Sequence, residues 1–461
     1  KDENVFDIQQ GVAMGLFVRS HRPAGEALRA ECRVHHADLW GEREGKYQWL
    51  WENEIGSTAW RQIEPQAPFY LFTPQNVDLL SEYEQGWKIN EIMPVNSVGI
   101  VTARDDLTIH WSPQDVWKTV NDFASLPLEQ AREKHRLGPD SRDWKVNLAQ
   151  EDLKSGKGLS KTNIVPILYR PFDVRYTYYT GKDCGFICRP RLAVMPNMLA
   201  GKNRALSTTR SIEIGRGWEH IFCSSCMMQH HTVSIKEVNY TFPLYCYSSL
   251  EKGDLLKSEN HAHRQPNFTC TFVAELEKNL SFSLIPEGTG NLQTTVGPED
   301  IFHYAYAIFH SPTYRSRYAV FLKIDFPRLP LTSNPAIFRQ LCSLGAELTA
   351  LHVMECDAPA IASYPVTGSN RVNTVRYTEP TDTTPGRVWI NTTQYFQGIP
   401  PKVWNVHIGG YQVLARWLKD RKGRVLHFDE LIHYQRIAAA LQRTLQIQQE
   451  IDEAIGEWPI H

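Results

Sequence analysis

The stretch that decides the fold is Asn163–Leu199, NIVPILYRPFDVRYTYYTGKDCGFICRPRLAVMPNML, which begins with β-branched and aromatic residues and continues into turns rich in glycine and proline. Thr162–Tyr179 has the composition of strands, because β-branched and aromatic side chains fit a pleated, half-buried surface. Gly181 and Gly185 then mark turns. The pattern predicts that strands dominate from this point to about Tyr247.

The same segment is strongly positive. Lys157–Glu219 contains eleven Lys and Arg residues against four acidic residues, a local balance of +7, whereas the whole chain has a formal net charge of −2. Lys and Arg concentrated in one segment most often face phosphates. Two interpretations stay open: a surface that binds nucleic acid, and a solvated face that acids from elsewhere in the fold neutralise.

Reading a DNA sequence requires cations and hydroxyls on phosphates, and Arg, Lys, Asn or Gln on base edges. Arg170 lies between Tyr169 and Pro171 in a tight apolar motif, so we predict that it holds the fold together through a carboxylate such as Asp173. The rest of the segment supplies the predicted DNA-binding set, which is Arg175, Lys182, Arg189, Arg191, Lys202, Asn203, Arg204, Arg210 and Arg216, with Gln229, His230 and His231 as additional readers.

Two basic clusters lie outside this segment. One is Arg315 with Arg317, and the other lies on a predicted helix that ends near Gly423. Cations in a last helical turn stabilise the helix dipole, and they also suit phosphate contact, so both roles stay open. The second cluster comprises Arg416, Lys419, Arg421, Lys422 and Arg424.

The N-terminal part predicts the edge of a sheet. Val12–Val18 is an apolar run of strand length, and Glu31–Trp40 is placed to return beside it as a hairpin. A short aromatic helix is predicted to follow. Its apolar residues are expected to pack into the core; they are Tyr47, Trp49, Leu50, Trp51, Ile55 and Trp60.

Helical and extended patterns alternate along the rest of the chain. Val98–Thr102 predicts a strand, and amphipathic spacing predicts four helices, at Pro113–Ala124, Leu128–Leu137, Glu299–His310 and Pro312–Leu322.

The last hundred residues carry two further patterns. Ala358–Arg387 is rich in Pro, Thr, Ser and Gly, yet RVNTVRY (371–377) and RVWI (387–390) predict paired strands in a long hairpin or surface loop. The C-terminus predicts a long helix with Asp429 as its N-cap. Its apolar stripe is Ile437, Leu441, Leu445, Ile451 and Ile455.

Length and composition bound the class of protein. A chain of 461 residues can hold two or three domains, and 42% hydrophobic with 22% charged residues is typical of globular proteins. No apolar run approaches the roughly 18 residues that span a bilayer, and no secretory signal is visible. Nine cysteines without regular spacing indicate reduced thiols. We therefore expect a cytoplasmic protein with no membrane partner.

Catalytic motifs are absent from the sequence. It has neither the [NDS]-P-P-[FYW] loop and glycine turn of an adenine methyltransferase nor a G-x-x-x-x-G-K-[ST] phosphate loop. We predict no catalytic residue and no cofactor in this chain, and a hydrolase nucleophile motif is also missing. Four histidines in apolar contexts predict hydrogen-bonded core side chains: His303, His310, His407 and His433.

One group of residues has the types that bind zinc. Cys223, Cys226, His230 and His231 supply thiol and imidazole ligands at short spacing. The run IFCSSCMM also suits a buried strand in which cysteines serve as small apolar side chains. We favour the strand and predict no metal site.

The wording of several stretches resembles a known family. YRPFDVRYTYYT (169–180) and the RPR-containing run after it resemble the opening of the target-recognition region in type ISP restriction-modification enzymes, which are long single-polypeptide bacterial systems. Residues 1–18 resemble the late part of that family's γ-type adenine-N6 methyltransferase domain. Residues 300–331 and 403–424 resemble its C-terminal specificity region.

The resemblance implies a fold class and a domain division. The class is α/β of the mixed α+β type, with the end of a methyltransferase-type sheet followed by a mixed α/β target-recognition domain and a C-terminal helical element. Residues 1–65 would be the methyltransferase tail, 66–150 a connector, and 151–461 the recognition domain.

The resemblance also implies a function, namely sequence-specific recognition of double-stranded DNA for adenine-N6 methylation and ATP-dependent restriction. The chain opens at Lys1 without a methionine, so we expect it to begin inside a longer polypeptide. Methyltransferase, helicase and nuclease domains would precede it and would use S-adenosylmethionine and ATP with Mg²⁺. Two alternatives stay open: a non-catalytic docking module, and the specificity part of a stand-alone phage-defence methyltransferase.

Overall fold

The computed structural model describes residues 2–6, 8, 12–18, 32–65, 67, 70–74, 78–156, 158–213, 217–247 and 264–460. The chain divides into two compact units, Lys1–Asp78 and Leu79–His461. The domain boundaries predicted after residues 65 and 150 stay predictions. Arg216, one of the predicted DNA contacts, lies outside the described residues.

The first unit is built on a small hairpin. Its elements are β1 (Val34–His36), α1 (Arg43–Glu52) and β2 (Arg61–Ile63), and β1 pairs antiparallel with β2. The predicted pairing with Val12–Val18 is therefore wrong, because residues 12–18 form no strand and β1 finds its partner after α1.

The aromatic residues of α1 and its surroundings are not a core. Trp51 is 89% exposed and Ile55 is 64% exposed, while Tyr47, Leu50 and Trp60 are each at least 40% exposed. The predicted core role is wrong for these residues, because a single short helix beside a two-stranded sheet leaves no second layer to cover them.

The second unit contains the remaining helices, and most of them are short. The helices are α2 (Leu80–Tyr83), α3 (Ile89–Ile92), α4 (Asp105–Thr108), α5 (Pro113–Ser125), α6 (Leu128–Lys134), α7 (Val146–Lys154), α8 (Cys270–Leu280), α9 (Pro298–His310), α10 (Pro312–Arg317), α11 (Pro335–His352), α12 (Pro401–Trp404), α13 (Val413–Lys419) and α14 (Phe428–Ile455).

The strands of the second unit are also short. They are β3 (Trp87–Lys88), β4 (Ser97–Val98), β5 (Ile109–His110), β6 (Ile164–Arg170), β7 (Asp173–Tyr178), β8 (Ala205–Thr209), β9 (Ile221–Ser224), β10 (Met227–Met228), β11 (Asn239–Pro243), β12 (Tyr245–Tyr247), β13 (Arg264–Pro266), β14 (Ser283–Leu284), β15 (Thr295–Val296), β16 (Arg328–Leu329), β17 (Arg376–Thr378), β18 (Arg387–Trp389), β19 (Tyr395–Gln397), β20 (His407–Ile408) and β21 (Tyr411–Gln412). The mixed α/β class predicted from the sequence is thereby confirmed.

Two four-stranded sheets position the predicted DNA-binding segment. One has the order β10-β6-β7-β5, and the other has the order β4-β11-β8-β9. In the first sheet β6 and β7 form an antiparallel hairpin, and β10 pairs parallel to β6. The prediction that strands dominate this region is confirmed.

Local sequence explains the helix that lies against the first sheet. The Ser112 hydroxyl accepts a hydrogen bond from the Asp115 amide and so caps α5, and Pro113 follows at the first helical position. Val116, Val120 and Phe123 recur at helical spacing and are fully buried. The predicted helix at 113–124 is confirmed.

Three long helices form the C-terminal core, and two of them approach closely. A Cβ at Gly345 of α11 would lie 1.9 Å from the His303 carbonyl oxygen of α9, so only glycine allows this spacing. The buried His352 of α11 pairs with the Tyr306 hydroxyl at 2.6 Å and with the Thr444 hydroxyl of α14 at 3.0 Å. Burial lowers the pKa of His352 to about 3, so the imidazole is neutral at pH 7.

The predicted C-terminal helix is confirmed as α14, but its predicted start is wrong. The helix begins at Phe428 and its N-cap is His427, because the Glu430 carboxylate accepts a hydrogen bond from the His427 amide at 3.1 Å. Asp429 therefore lies in the first turn. The helix predicted at 312–322 is also shorter than expected and ends at Arg317.

The histidine predictions divide. His310 is 3% exposed and bonds the Tyr306 carbonyl oxygen, and His433 bonds the Phe172 carbonyl oxygen at 2.8 Å. His303 is half-buried, and burial lowers its pKa to about 4. His407 is exposed at the start of the β20–β21 hairpin, so its predicted core role is wrong.

The proline- and threonine-rich stretch near residue 380 is a sheet. The predicted strand pair is confirmed as β17 and β18, and β19 adds a third antiparallel strand. Within the described residues, no helix is long and apolar enough to cross a membrane.

Candidate nucleic-acid interface

The YRPFD motif forms the turn of the β6–β7 hairpin. Phe172 adopts a φ of +60° and is 2% exposed. Its ring packs edge-on against Phe222, with 5.2 Å between centroids, and against His352, with 5.6 Å. The turn is therefore anchored in the core.

Arg170 is a structural residue, as its sequence context predicts. It is 8% exposed, and its guanidinium donates to the carbonyl oxygens of Tyr169 (2.7 Å) and His231 (2.9 Å). It also donates to the Gln229 side chain at 3.3 Å. The predicted partner Asp173 is wrong: Asp173 faces Arg170 in the strand register, but its carboxylate binds other arginines.

Asp173 is the centre of a buried ion cluster. It is 1% exposed, and its two oxygens accept from Arg175 and from Arg421, each at 2.8 Å. Burial by itself raises the pKa of Asp173, but the Arg421 and Arg175 guanidinium groups outweigh it and hold the pKa below its ordinary value. The cluster thus joins β7 to the end of α13, two segments that are far apart in the sequence.

Trp111 lies against the same arginines. The centroid of its ring lies 3.7 Å from the guanidinium carbon of Arg175, 3.9 Å from that of Arg424 and 4.5 Å from that of Arg421. Glu430 accepts from Arg421 at 3.3 Å and from Arg424 at 3.1 Å. We call this group the Trp111 cluster; its members are Trp111, Asp173, Arg175, Arg421, Arg424 and Glu430.

The Trp111 cluster brings Arg175 of the basic segment 157–219 together with Arg421 and Arg424 of the C-terminal basic cluster. The members of the C-terminal region outside the cluster differ in exposure. Arg416 pairs with Asp420 at 2.9 Å, while Lys419 and Lys422 are exposed.

The other basic cluster, Arg315 with Arg317, lies on α10. Arg317 pairs with Glu82 at 2.7 Å, and the Arg315 guanidinium donates to the Phe309 carbonyl oxygen at 2.8 Å. Both arginines of α10 thus have contacts within the protein.

Residues 180–192 form a loop that carries three of the predicted contacts. Asp152 of α7 anchors it, because its carboxylate accepts from the Thr180 hydroxyl and from the Phe186 amide, each at 2.8 Å. A Cβ at Gly185 would lie 2.3 Å from the same carboxylate. A side chain at position 185 would therefore displace the Asp152 carboxylate that anchors the loop.

The cations of this loop differ in their partners. Lys182 is exposed. Arg189 is half-exposed and pairs with Asp183 at 2.7 Å and with Asp143 at 3.1 Å. Arg191 has a φ of +58°, and burial lowers its pKa from the ordinary arginine value.

The predicted contacts after the loop also divide. Lys202 is exposed, and Arg210 has a 61% exposed side chain that pairs with Asp325 at 3.1 Å. Arg204 is half-buried and pairs with Glu355. Asn203 is 4% exposed, and its amide group bonds backbone groups of neighbouring segments, which is a structural role.

The additional readers near residue 230 have contacts inside the fold. Gln229 is 2% exposed, and its side-chain oxygen accepts from Arg170 and from the His231 amide. His230 bonds the Ile100 carbonyl oxygen at 3.0 Å. Burial lowers the pKa of His230 to about 4, so this side chain carries no positive charge at pH 7.

In the cysteine and histidine group near residue 225, both cysteines are buried, whereas His230 and His231 are half-buried residues of a turn. Cys223 belongs to β9 and is 1% exposed, and Cys226 is 8% exposed. Burial raises the pKa of Cys223 to about 12 and that of Cys226 to about 11, so both thiols are protonated at pH 7. In the part of the chain that the structure describes, no group of three or more His, Cys, Asp or Glu residues is arranged to hold a metal ion.

The sequence did not predict the roles of two residues in this candidate interface, Trp111 and Arg421. Trp111 lies outside the basic segment, and nothing in its surroundings pointed to arginine contacts. Arg421, for which the sequence leaves the helix dipole and phosphate contact open, is instead 5% exposed and paired with Asp173. A buried arginine is expected to have a buried acid partner, yet the sequence does not reveal which of its 51 acidic residues that is.

Three solved structures share this fold. A DrdV–DNA complex matches with a TM-score of 0.65 at 18% identity, over 91% of this chain and 43% of that one. A nuclease-deletion mutant of the type ISP restriction-modification enzyme LlaGI with a DNA substrate mimic gives 0.59 at 18%, over 91% and 33%. The ATP-dependent type ISP enzyme LlaBIII bound to DNA gives 0.66 at 16%, over 92% and 28%.

The chain thus spans less than half of the length of each of these proteins. No curated protein sequence matches it. A family model described as the Type ISP C-terminal specificity domain matches residues 91–450, which is most of the chain. The chain therefore belongs to the family of Type ISP C-terminal specificity domains.

Proposed function

We propose that this chain recognises the DNA sequence on which a type ISP restriction-modification enzyme acts. The observation that carries the proposal is the family match over residues 91–450. The fold shared with three DNA-bound proteins supports it. Recognition of a duplex needs a surface that offers cations to phosphates and planar donors to base edges.

The contacts of the predicted residues divide them into two roles. Lys182, Lys202 and Arg210 are exposed and supply phosphate contacts in the proposed complex. Arg189, Arg191 and Arg204 are half-buried and are held in fixed positions by protein contacts, which suits base reading. Arg175 and Asn203 are buried, so we assign them a supporting role rather than DNA contact. Arg216 remains part of the proposed set.

The remaining activities belong, in this proposal, to other parts of a longer protein. Adenine-N6 methylation would use S-adenosylmethionine, and restriction would use ATP with Mg²⁺, in methyltransferase, helicase and nuclease domains of the same polypeptide. The ATP dependence of LlaBIII supports this division, as does the 28% of its length that this chain spans. All nine cysteines are free thiols, which supports a cytoplasmic location.

A titration against duplex DNA tests the proposed function. The full chain is titrated with a random-sequence duplex library over a series of salt concentrations, and bound fragments are sequenced. We expect enrichment of one target sequence and an affinity that falls steeply with salt, because phosphate contact releases counterions. Absence of binding at every salt concentration, or equal affinity for all duplexes, would contradict the proposal.

Substitutions distinguish direct phosphate contact by the exposed cations from a general effect of net charge. The triple variant Lys182→Gln, Lys202→Gln, Arg210→Gln is expected to bind all duplexes more weakly and with a shallower salt slope, by about 0.9 for each phosphate that the chain no longer neutralises. The matched control substitutes three exposed lysines elsewhere, Lys118, Lys154 and Lys278, by Gln. Equally weakened binding in both variants would show a non-specific effect of net charge.

A docking role within the same protein is the second candidate. The observation that favours it is the pairing of Arg189, Arg204 and Arg210 with carboxylates, which lowers the charge they offer to phosphates. Docking predicts DNA affinity that is weak and indifferent to sequence. The library titration therefore decides between the two functions.

A further inference from the structure

The three-stranded sheet β17–β18–β19 has two different faces. Val388 and Phe396 point to the interior and are fully buried, and Tyr377 stacks on Trp404 at 5.1 Å between centroids. Side chains alternate along a strand, so the residues between them share the opposite face. In the strand register these form two rows, Arg376–Trp389–Tyr395 and Thr378–Arg387–Gln397.

Aromatic rings hold the arginines of this outer face. The Arg376 guanidinium carbon lies 4.3 Å from the Trp389 ring centroid, and that of Arg387 lies 4.5 Å from the Tyr395 centroid. The two rings are 4.6 Å apart. The Trp389 indole N–H donates to the Thr378 hydroxyl at 2.9 Å, which fixes the orientation of that ring.

These arginines have no carboxylate partner among the described residues. Arg376 is exposed, and Arg387 is half-buried with an Nε that lacks a hydrogen-bond acceptor in the described part of the chain. Two carboxylates, Glu379 and Asp382, lie in the β17–β18 turn, but neither forms an ion pair with Arg376 or Arg387. The positive charge of the face is therefore not neutralised locally.

An arginine held on a ring is prepared to bind a planar acceptor. The ring contacts the π-face of the guanidinium and leaves its terminal amino groups free, so the side chain loses little further freedom on binding. The Arg387 Nε is itself buried, so that side chain offers its two amino groups to an acceptor. Duplex DNA offers acceptors of that geometry in its phosphates and in O6 and N7 of guanine. An acidic protein segment offers carboxylates instead, but the DNA-bound relatives favour DNA.

We propose that the outer face of β17–β18–β19 is a second DNA-contact surface, in which Arg376 and Arg387, held on Trp389 and Tyr395, each bind an oxygen or nitrogen acceptor pair of duplex DNA. The inference rests on the proposed function. It adds a surface that lies about 160 residues after the predicted segment in the sequence.

The test substitutes both arginines by glutamine in the full chain and measures binding to duplex DNA by fluorescence anisotropy over a salt series. We expect the double variant Arg376→Gln, Arg387→Gln to bind its target about 5- to 100-fold more weakly. The matched control is Arg371→Gln, which removes an exposed arginine whose guanidinium donates to the Gly423 carbonyl oxygen. The control is expected to bind DNA as the wild type does.

The two sources of the acceptor give different results. Phosphate contact predicts equally weakened binding to every duplex, together with a salt slope that is shallower by about 0.9 for each arginine. Contact with guanine predicts weaker binding to the target duplex, relaxed choice at one base pair and an unchanged slope. Either result supports the proposal. A thermal melt of each variant shows whether the fold is retained. If the acceptor is a phosphate, Arg376→Lys is expected to keep part of the DNA affinity that Arg376→Gln loses, because lysine retains the positive charge.

Three outcomes overturn the inference. If the wild type binds DNA and the double variant matches it in affinity, slope and sequence choice, the sheet is not a contact surface, while the proposed function stands. If the double variant keeps its DNA affinity but loses binding to poly-glutamate, the partner is a protein carboxylate. If the wild type binds no duplex at all, the proposed function itself fails, and the inference fails with it.

Discussion

The Trp111 cluster and the β17–β18–β19 sheet both hold arginines against tryptophan, and they do so differently. In the Trp111 cluster, Arg175 and Arg421 share the buried carboxylate of Asp173. On the β17–β18–β19 sheet, Arg376 and Arg387 contact rings without a carboxylate partner among the described residues. A positive segment in a sequence is thus not yet a positive surface, because burial and ion pairing decide which charges remain available.

Breaking the buried ion pair of Asp173 is expected to destabilise the chain most. Asp173→Asn leaves Arg175 and Arg421 without their shared carboxylate, so we expect the free energy of unfolding to fall by about 3–5 kcal/mol. Chemical denaturation of the full chain measures it. The control Glu379→Gln removes an exposed carboxylate and is expected to change stability by less than about 0.5 kcal/mol. Equal stability of the two variants would contradict the structural role of the Trp111 cluster.

The same pair has a predicted pH dependence. The pKa of Asp173 is held below its ordinary value of 3.8 in the folded chain, so its stabilisation is complete above that value and is lost as the pH falls through the lower folded-state pKa. The difference in melting temperature between wild type and Asp173→Asn should therefore be constant near neutral pH and shrink below about pH 4. A difference that grows on acidification would show that the carboxylate is not ion-paired.

Replacing each tryptophan by leucine is expected to affect the two regions differently. Trp111→Leu removes the ring that three arginines contact and is expected to cost about 2 kcal/mol of stability. Trp389→Leu removes a half-exposed ring and is expected to cost less than about 1 kcal/mol, but to weaken DNA binding, because Arg376 loses its support. Thermal melts and DNA titrations of both variants check this. Reversed effects would show that the two regions have been assigned the wrong roles.

A smaller effect is expected in the loop of residues 180–192. Gly185→Ala places a Cβ against the Asp152 carboxylate, so we expect a local cost of about 1–3 kcal/mol and faster hydrogen exchange of the loop amides. Gly217→Ala is the matched control, because no atom of the described residues lies within 4 Å of a Cβ built there. Unchanged exchange in Gly185→Ala would show that the loop has another path open to it.

Lys182→Gln and Arg175→Gln separate charge that is exposed from charge that is paired. Lys182→Gln is expected to weaken DNA binding about threefold and to leave the melting temperature unchanged. Arg175→Gln lies in the same segment but is buried, so it is expected to lower the melting temperature and to leave the salt slope of DNA binding unchanged. A shallower slope in Arg175→Gln would place that guanidinium on a phosphate.

The local elements that the sequence predicted well share one property. α5 and α14 present apolar residues at helical spacing, and β17 and β18 have strand composition on both sides of a turn. Periodicity reports which face of an element is buried, whatever it packs against. The same rule failed at Val12–Val18, whose apolar residues form no strand.

The sequence by itself determined the mixed α/β class, the long helices, the strand-rich centre, and the concentration of positive charge between residues 157 and 219. Tertiary structure alone decided which side chains are buried, paired or exposed. It paired Arg421 with Asp173, exposed Trp51 and buried Asn203. It also placed Arg376 and Arg387 against aromatic rings, with no carboxylate partner among the described residues. The physical reason is that ion pairs and burial join residues far apart in the chain, whereas local patterns depend only on neighbours.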